Sequence, residues 1–325
     1  MKKQTRSLIL IALLAIAAAV VANPTSRTTN APPGTRDEIE KSFHVRSGGT
    51  LKFDADLANA EIITADTDTV RIEFIREFKV STAGEANELR QKLTVEMGQT
   101  DLTGTKADEN SVKVVVRFAD DRTGDNRHKV RLDFRITMPR KFNLDLRTCG
   151  RASVGDLDGS VKAAIKGESL TLKNVNGPVT VRTDGGNLTV GDIGGDLDAH
   201  SNGGFIAAGR VNGRVIARAE GGNISIAEAT DSIEARAAGG SVQAYISKQP
   251  RAETKITAEA GNIELRLPAS VAVTVDAACT AGRLSSDFSL NGHQVDDPGR
   301  LKGVINGGGP VLMLRASAGN INLRK

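Results

Sequence analysis

"VNGPVTVRTDGGNLTV" is residues 175–190, and "VNGRVIARAEGGNISI" is residues 211–226. Val, Asn, Gly, Val, Arg, Gly, Gly and Asn recur in place, thirty-six residues apart. The interval resolves into a shorter one. Steps of nine from Val161 land on Leu170, Val179, Leu188, Leu197, Ile206, Val215, Ile224, Ile233 and Val242, all aliphatic. Two residues after each stand Ala163, Leu172, Val181, Val190, Ala199, Ala208, Ala217, Ile226, Ala235 and Ala244, again all aliphatic. Residues i and i+2 of a strand share a face, so each nine-residue unit reads as a short strand with two apolar side chains pointing one way. Two before each aliphatic stand Gly159, Gly177, Gly186, Gly195, Gly204, Gly213, Gly222 and Gly240, with Glu168 and Asp231 the departures. These glycines are expected at tight corners with positive φ.

The corners alternate in character. Leu157, Val175, Ile193, Val211 and Ala229 are apolar, whereas Lys166, Asp184, Asn202 and Glu220 are polar. The true period is therefore eighteen, with two strands and two unlike corners. A fixed period near 20 with turn-marking glycine predicts a solenoid, because one unit cannot bury its own apolar face and stacking supplies a common core. The expected fold is an all-β, right-handed β-solenoid, the hand following from the crossover preference of parallel strands. The rhythm is expected to continue through Thr254/Ile256, Ile263/Leu265, Val275/Ala277 and Leu284/Ser286, to run through an irregular loop at 291–309, and to close on Leu312/Leu314 and Ile321/Leu323.

Composition divides the chain near residue 145. Seven of nine Phe lie between Phe43 and Phe142, and 27 of 34 Gly come later. The earlier region alternates as sheet at Val70–Phe74, Val112–Phe118, Val130–Met138 and Phe142–Leu146. It forms either the first, wider coils or an abutting β layer. A helix is expected over 83–97, with Thr82 and Glu85 at capping-box spacing and Ala86, Leu89, Leu93 and Met97 on one face. Residues 119–129 read as a polar hairpin loop.

At the N-terminus, Lys2, Lys3 and Arg6 precede the apolar run Leu8–Ala22, the pattern of a signal peptide cleaved after Ala22. Retention as an anchor is the alternative, although the run is short against the ~20 residues of a spanning helix. No Cys near the cleavage point offers lipid attachment. The division read from sequence is signal peptide 1–22, disordered tether 23–36, N-terminal β region 37–146 and solenoid 147–325. Without the three leader charges, 40 Lys and Arg face 39 Asp and Glu, so the pI of 9.1 is no argument for nucleic acid. The expected location is the periplasm, cell surface or extracellular space. Cys149 and Cys279 lie about seven coils apart in the repeat, ~34 Å at sheet spacing. A disulfide needs Cα atoms within ~7 Å, so both are expected to be filler.

Little chemistry stands out. The four His approach neither HExxH nor an HxH pair, and there is no CxxC, so no metal and no cofactor is expected. "GGN" resembles the calcium nonapeptide, but Leu188 and Val190 occupy the positions where that pattern needs Gly and Asp. "GGNLT" and "GGNIS" match glycosylation acceptors, yet Asn in a left-handed corner explains them without sugar. One outward column is worth naming: Arg182, His200, Arg218 and Arg236, beside Asp184, Asn202 and Glu220. It is either a ladder for an anionic polymer or lipid head group, or a solvated face whose charges pair locally. The second needs no function and is favoured. The opposite column, Thr171, Thr189, Ala207 and Ser225, is small and flat, suited to docking a partner sheet or the N-terminal region.

The stretches "GGTLKFDADLANAEIITADTDTVRIEF", "VRLDFRITMPRKFNLDLRTCG", the repeats above and the ending "LRASAGNINLRK" together resemble the bacterial putative-adhesin family of β-strand-repeat envelope proteins, domain of unknown function 4097. The resemblance runs from about Phe43 to the C-terminus. It implies an extracytoplasmic β-solenoid and carries no catalytic residue. The functional expectation is a non-enzymatic envelope adhesin or scaffold, with envelope polysaccharide, anionic lipid or another envelope protein as partner, and self-association through end coils. The alternatives are a carbohydrate-processing β-helix enzyme, which needs paired carboxylates in a cleft, and a sensor or regulatory ectodomain in envelope stress.

Overall fold

A computed structural model describes residues 35–100, 110–119, 126–291 and 299–325, which belong to one compact unit. The leader and nearly all of the tether lie outside the described residues. The tether's last residue, Arg36, already begins a strand, Arg36–His44.

Two sheets of thirteen strands each carry the fold, and from Val130–Pro139 to Leu284–Ser286 successive strands alternate between them. One sheet pairs Val161, Val179, Leu197, Val215 and Ile233 in register across five parallel strands. The other aligns Leu170, Leu188, Ile206, Ile224 and Val242 in the same way. All twenty aliphatic positions of the nine-residue pattern are buried. The apolar corners Leu157, Val175, Ile193 and Val211 are also buried and bridge to one another in parallel. The polar corners Lys166, Asp184, Asn202 and Glu220 are exposed. After Ile233 the offset grows to 21 residues, as Glu234 pairs with Lys255 and Val242 with Ile263.

The corner glycines have a different cause from the one expected. None of the eight lies at positive φ, a conformation the described glycines adopt only at Gly48, Gly167, Gly307 and Gly308. A Cβ on Gly186, Gly204, Gly222 or Gly240 would come within 3.0 Å of the carbonyl of the equivalent residue one coil back. The coils stack backbone on backbone there, and only hydrogen fits between them. The corner asparagines are likewise not left-handed, since Asn306 is the one described non-glycine residue at positive φ. They form a ladder instead. Asn187 N–H donates to Ser169 Oγ at 3.2 Å, Phe205 N–H to Asn187 Oδ1 at 3.2 Å, Ser241 N–H to Asn223 Oδ1 at 2.8 Å and Asn262 N–H to Ser241 Oγ at 3.0 Å. A second ladder climbs the apolar corner from Asp156 through Asn174 and Asp192 to Arg210.

Both ends depart from sequence order. Val311–Ala318 pairs directly with Thr254–Ala258, and Ile321–Arg324 with Ile263–Arg266. The coil of Val273–Ala281 and Leu284–Ser286 lies outside them. The last strands of the chain thus form an inner layer, contrary to the sequential order expected. The inward residues supply the reason. Leu312, Leu314, Ile321 and Leu323 are all apolar and buried, whereas Leu284 and Ser286 are half-buried, and a hydroxyl is cheaper at an edge than in the core. The segment expected to be an irregular loop contains the strand Arg300–Ile305, which covers Val273–Ala281 in antiparallel fashion.

The N-terminal region forms the first coils of the same sheets. Thr50–Ala55 and Asn59–Ala65 stack on Asn143–Thr148 and Ala152–Val154. Ser111–Phe118 and Val130–Pro139 lie beyond them. Those two strands occupy different sheets, so they do not pair as the expected hairpin, and residues 120–125 of the polar segment lie outside the described residues. Phe134 bridges the layers there, 4.5 Å from Phe74 and 5.1 Å from Phe53 between ring centroids. The helix is shorter than expected. It spans Ala83–Gln91, with Thr82 Oγ1 accepting from Glu85 N–H, and it buries Ala86 and Leu89. Leu93 and Met97 belong to a strand, Leu93–Gln99, paired antiparallel with Ser111–Phe118. Thr94 and Val95 are β-branched and Gly98 is a poor helix former, so pairing outweighs the helical spacing.

Neither Cys149 nor Cys279 is in a disulfide. Eight strand steps separate their strands, because the C-terminal coil adds one, which is ~38 Å at sheet spacing.

Candidate functional site

The sheet that holds Val179–Thr183 brings the four residues of the basic column together. Arg182 pairs in register with His200, His200 with Arg218, and Arg218 with Arg236. Each alternates with buried Val181, Ala199, Ala217 or Ala235, so the side chains rise from the outer face. Adjacent members are ~4.8 Å apart along the stack.

Three of the four meet acids. His200 Nε2 lies 2.9 Å from Asp198 Oδ1 and 3.3 Å from Arg218 Nη1. Arg218 Nη2 donates to Glu234 Oε1 at 2.6 Å, and Arg214 Nη2 reaches the other oxygen of the same carboxylate at 2.8 Å. Arg236 donates to Glu259 at 2.6 Å and to Glu220 at 3.4 Å. The hydrogen bond to Glu259, then the charges of Glu259 and Glu220, hold the Arg236 guanidinium above its ordinary pKa. Arg182 forms no ion pair among the described residues and is exposed. The face therefore neutralises most of its own charge, and one arginine is left for an anion.

Sequence reading named Glu220 beside the column but missed Glu234 and Glu259 as partners, because Arg218 and Glu234 are sixteen residues apart, and Arg214 and Glu234 twenty. Both separations follow once the coil length is eighteen, with the acid on the next strand two residues before or after register.

The one departure at a glycine corner that carries a buried acid is Asp231. Ser232 N–H and Arg251 N–H donate to Oδ1 at 2.8 and 3.0 Å, and the Arg251 guanidinium pairs with Oδ2 at 2.6 Å. Burial alone would push this carboxyl up. The bonds from the Arg251 backbone and side chain and the Ser232 backbone outweigh it and hold the pKa below the ordinary value. Its donors come from the corner and the inserted segment, so its role is to anchor the insertion.

The small column opposite, Thr171, Thr189, Ala207 and Ser225, stays at the surface, with Ala207 half-covered. Among the described residues no group of three His, Cys, Asp or Glu is placed to hold a metal ion. A shallow cleft of about 270 Å³ opens between Leu284, Ser286, Phe288, Leu290 and Leu301, with no carboxylate among the described residues that line it.

The family profile described as Toastrack DUF4097 matches residues 50–324, the full run of stacked coils. The chain belongs to the Toastrack DUF4097 family. No curated protein matches its sequence. Among solved structures, a putative cell adhesion protein from Clostridium sporogenes is 15% identical, with 89% of this chain and 99% of that one covered at a TM-score of 0.22. A putative adhesin from Bacteroides fragilis is 14% identical, with 88% and 97% covered at a TM-score of 0.39. A putative lipid binding protein from Parabacteroides distasonis is 10% identical, with 89% and 97% covered at a TM-score of 0.30. The Toastrack match identifies the architecture and carries no reaction with it.

Proposed function

We propose that this Toastrack chain is an exported, non-enzymatic adhesin or envelope scaffold that engages an extended partner through many equivalent positions. One observation supports it above the others. The eighteen-residue register repeats without interruption from Val161 to Ile233, so like side chains recur at strand spacing on surfaces of fixed geometry. A linear polymer presents its own repeat to such a face, and weak contacts multiply when they are linked. Because Glu234, Glu220 and Glu259 already pair with Arg218 and Arg236, a polysaccharide or an envelope protein suits the surface better than an anionic lipid.

The test is length dependence. The full chain, immobilised, is exposed to envelope polysaccharide fractions of increasing length and to phosphatidylglycerol vesicles. The proposal requires a dissociation constant that falls at least tenfold between short and long fractions. Affinity independent of length, or cleavage of the polymer during the experiment, would count against it. Export is checked separately by intact mass, which should lack residues 1–22.

A further inference from the structure

The polar corner of the stack carries a single aromatic ring. Phe205 is 41% exposed, whereas the other eight phenylalanines are buried. It occupies a rung of the side-chain ladder. Ser169, Asn187, Asn223, Ser241, Asn262 and Asn320 each give an oxygen to the N–H of the coil beyond. Phe205 has none to give, so Asn223 N–H has no partner among the described residues. At 41% exposure the residue is partly covered and leaves the rest of its surface open to solvent. A local rule kept at the rungs around it and broken at one, by a large apolar residue open to solvent, points to a functional position.

The surroundings indicate the ligand. Asn187 and Asn223 lie one coil back and one coil on, ~4.8 Å to either side. Each spends its Oδ1 on a rung, and neither Nδ2 makes a hydrogen bond among the described residues, so two amide donors flank the ring. Gly203 and Gly204 precede it, with Gly185 and Gly186 below and Gly221 and Gly222 above. No side chain from these positions rises beside the ring. The exposed corner residues Asp184, Asn202 and Glu220 are acidic or neutral, which disfavours an anionic ligand. An open aromatic face between amide donors suits a pyranose, whose C–H face stacks on the ring while its hydroxyls take the hydrogen bonds.

We propose that Phe205, flanked by Asn187 and Asn223, forms a binding site for a neutral glycan chain. The proposal rests on the adhesin reading and names its ligand class. The test applies the full chain and two variants to a glycan array, and then to titration calorimetry with cellohexaose and chitohexaose. Phe205→Asn removes the ring and restores the ladder oxygen, so it should melt no lower than the parent. Phe205→Tyr keeps the ring. At least one oligosaccharide should bind the parent, lose tenfold or more in affinity with Phe205→Asn, and change less than threefold with Phe205→Tyr. Glycan binding untouched by Phe205→Asn would overturn the site and leave the adhesin reading standing. Binding only to vesicles, phosphocholine or protein would also overturn the site alone. Silence toward every probe would remove both.

Discussion

Replacing Gly222 by alanine separates two explanations of the corner glycines. If Gly222 served only to loosen the unfolded chain, alanine would stabilise by about 0.4–1 kcal/mol, since its φ is accessible to any residue. The stack predicts the opposite. The new Cβ would meet Gly204 O, Gly204 C and Phe205 N, all inside 3.0 Å. Comfortable contact begins near ~3.5 Å, so the coils must part by about 1 Å. Ile206 N–H donates to Asn223 O at 2.9 Å across that gap, and a bond stretched by ~1 Å is effectively lost, at about 0.5–1.5 kcal/mol. Overpacking strain adds ~1–3 kcal/mol, which with the lost bond gives a destabilisation of about 1.5–4.5 kcal/mol. Gly167 is the control. It lies at φ +91° with nothing within 4 Å of a Cβ, so Gly167→Ala costs only ~1–2 kcal/mol of left-handed strain. Urea unfolding followed by circular dichroism reads both as a lowered midpoint at unchanged slope. A Gly222→Ala midpoint equal to or above the parent would refute the backbone-stacking argument.

Other consequences follow from the same geometry. Asp231→Asn should destabilise by about 1–3 kcal/mol at neutral pH, because buried N–H donors lose a charged acceptor. The Asp231 carboxyl is held low in the folded chain, so its contribution is full above the unfolded carboxylate pKa of ~3.9 and lost as pH falls through the folded value. Urea midpoints measured against pH should show a shallower acid limb in the variant. Leu188→Ala, at a fully buried position, should cost ~2–5 kcal/mol by the same assay. A double-mutant cycle on Arg218 and Glu234 should return a coupling of only about 0.2–1 kcal/mol, because both side chains are more than a third exposed. Deleting residues 311–325 removes an inner layer, so hydrogen exchange should show protection lost in both 254–266 and 273–286.

The interior was legible because its pattern is redundant. Val161 to Val242 repeat one decision ten times, and a single misread residue could not move the register. The corners were legible in place but not in cause, since Gly222 at a turn suggests left-handed backbone equally well, and only the coil beneath reveals the contact. The helix was read too long because Ala86, Leu89, Leu93 and Met97 fit a helical stripe, while Leu93, Val95 and Met97 also fit a strand. Partner choice was beyond the pattern. The pairs Val275/Ala277 and Leu312/Leu314 are interchangeable as inward residues, so aliphatic spacing alone does not say which stacks on Ile256. Ser286 was the available signal, because an inward hydroxyl belongs at an edge. Phe205 was visible as an aromatic in the solenoid, but its meaning needed the ladder, whose rungs are eighteen residues apart and silent in any local window.

The central claim is that the chain stacks in register, with its last coil inside the one before it. Spin labels on the outer face test it by distance. Lys162, Glu234, Lys255, Met313 and Asp276 lie on one line of register partners. Relative to a label at Lys162, the partners lie four, five, six and seven strands away in that order. Pulsed electron paramagnetic resonance should give Cα separations of about 19, 24, 29 and 34 Å at sheet spacing. A label at Met313 nearer than one at Asp276 upholds the stacking order. Distances without a constant increment, or Asp276 nearer than Met313, contradict it.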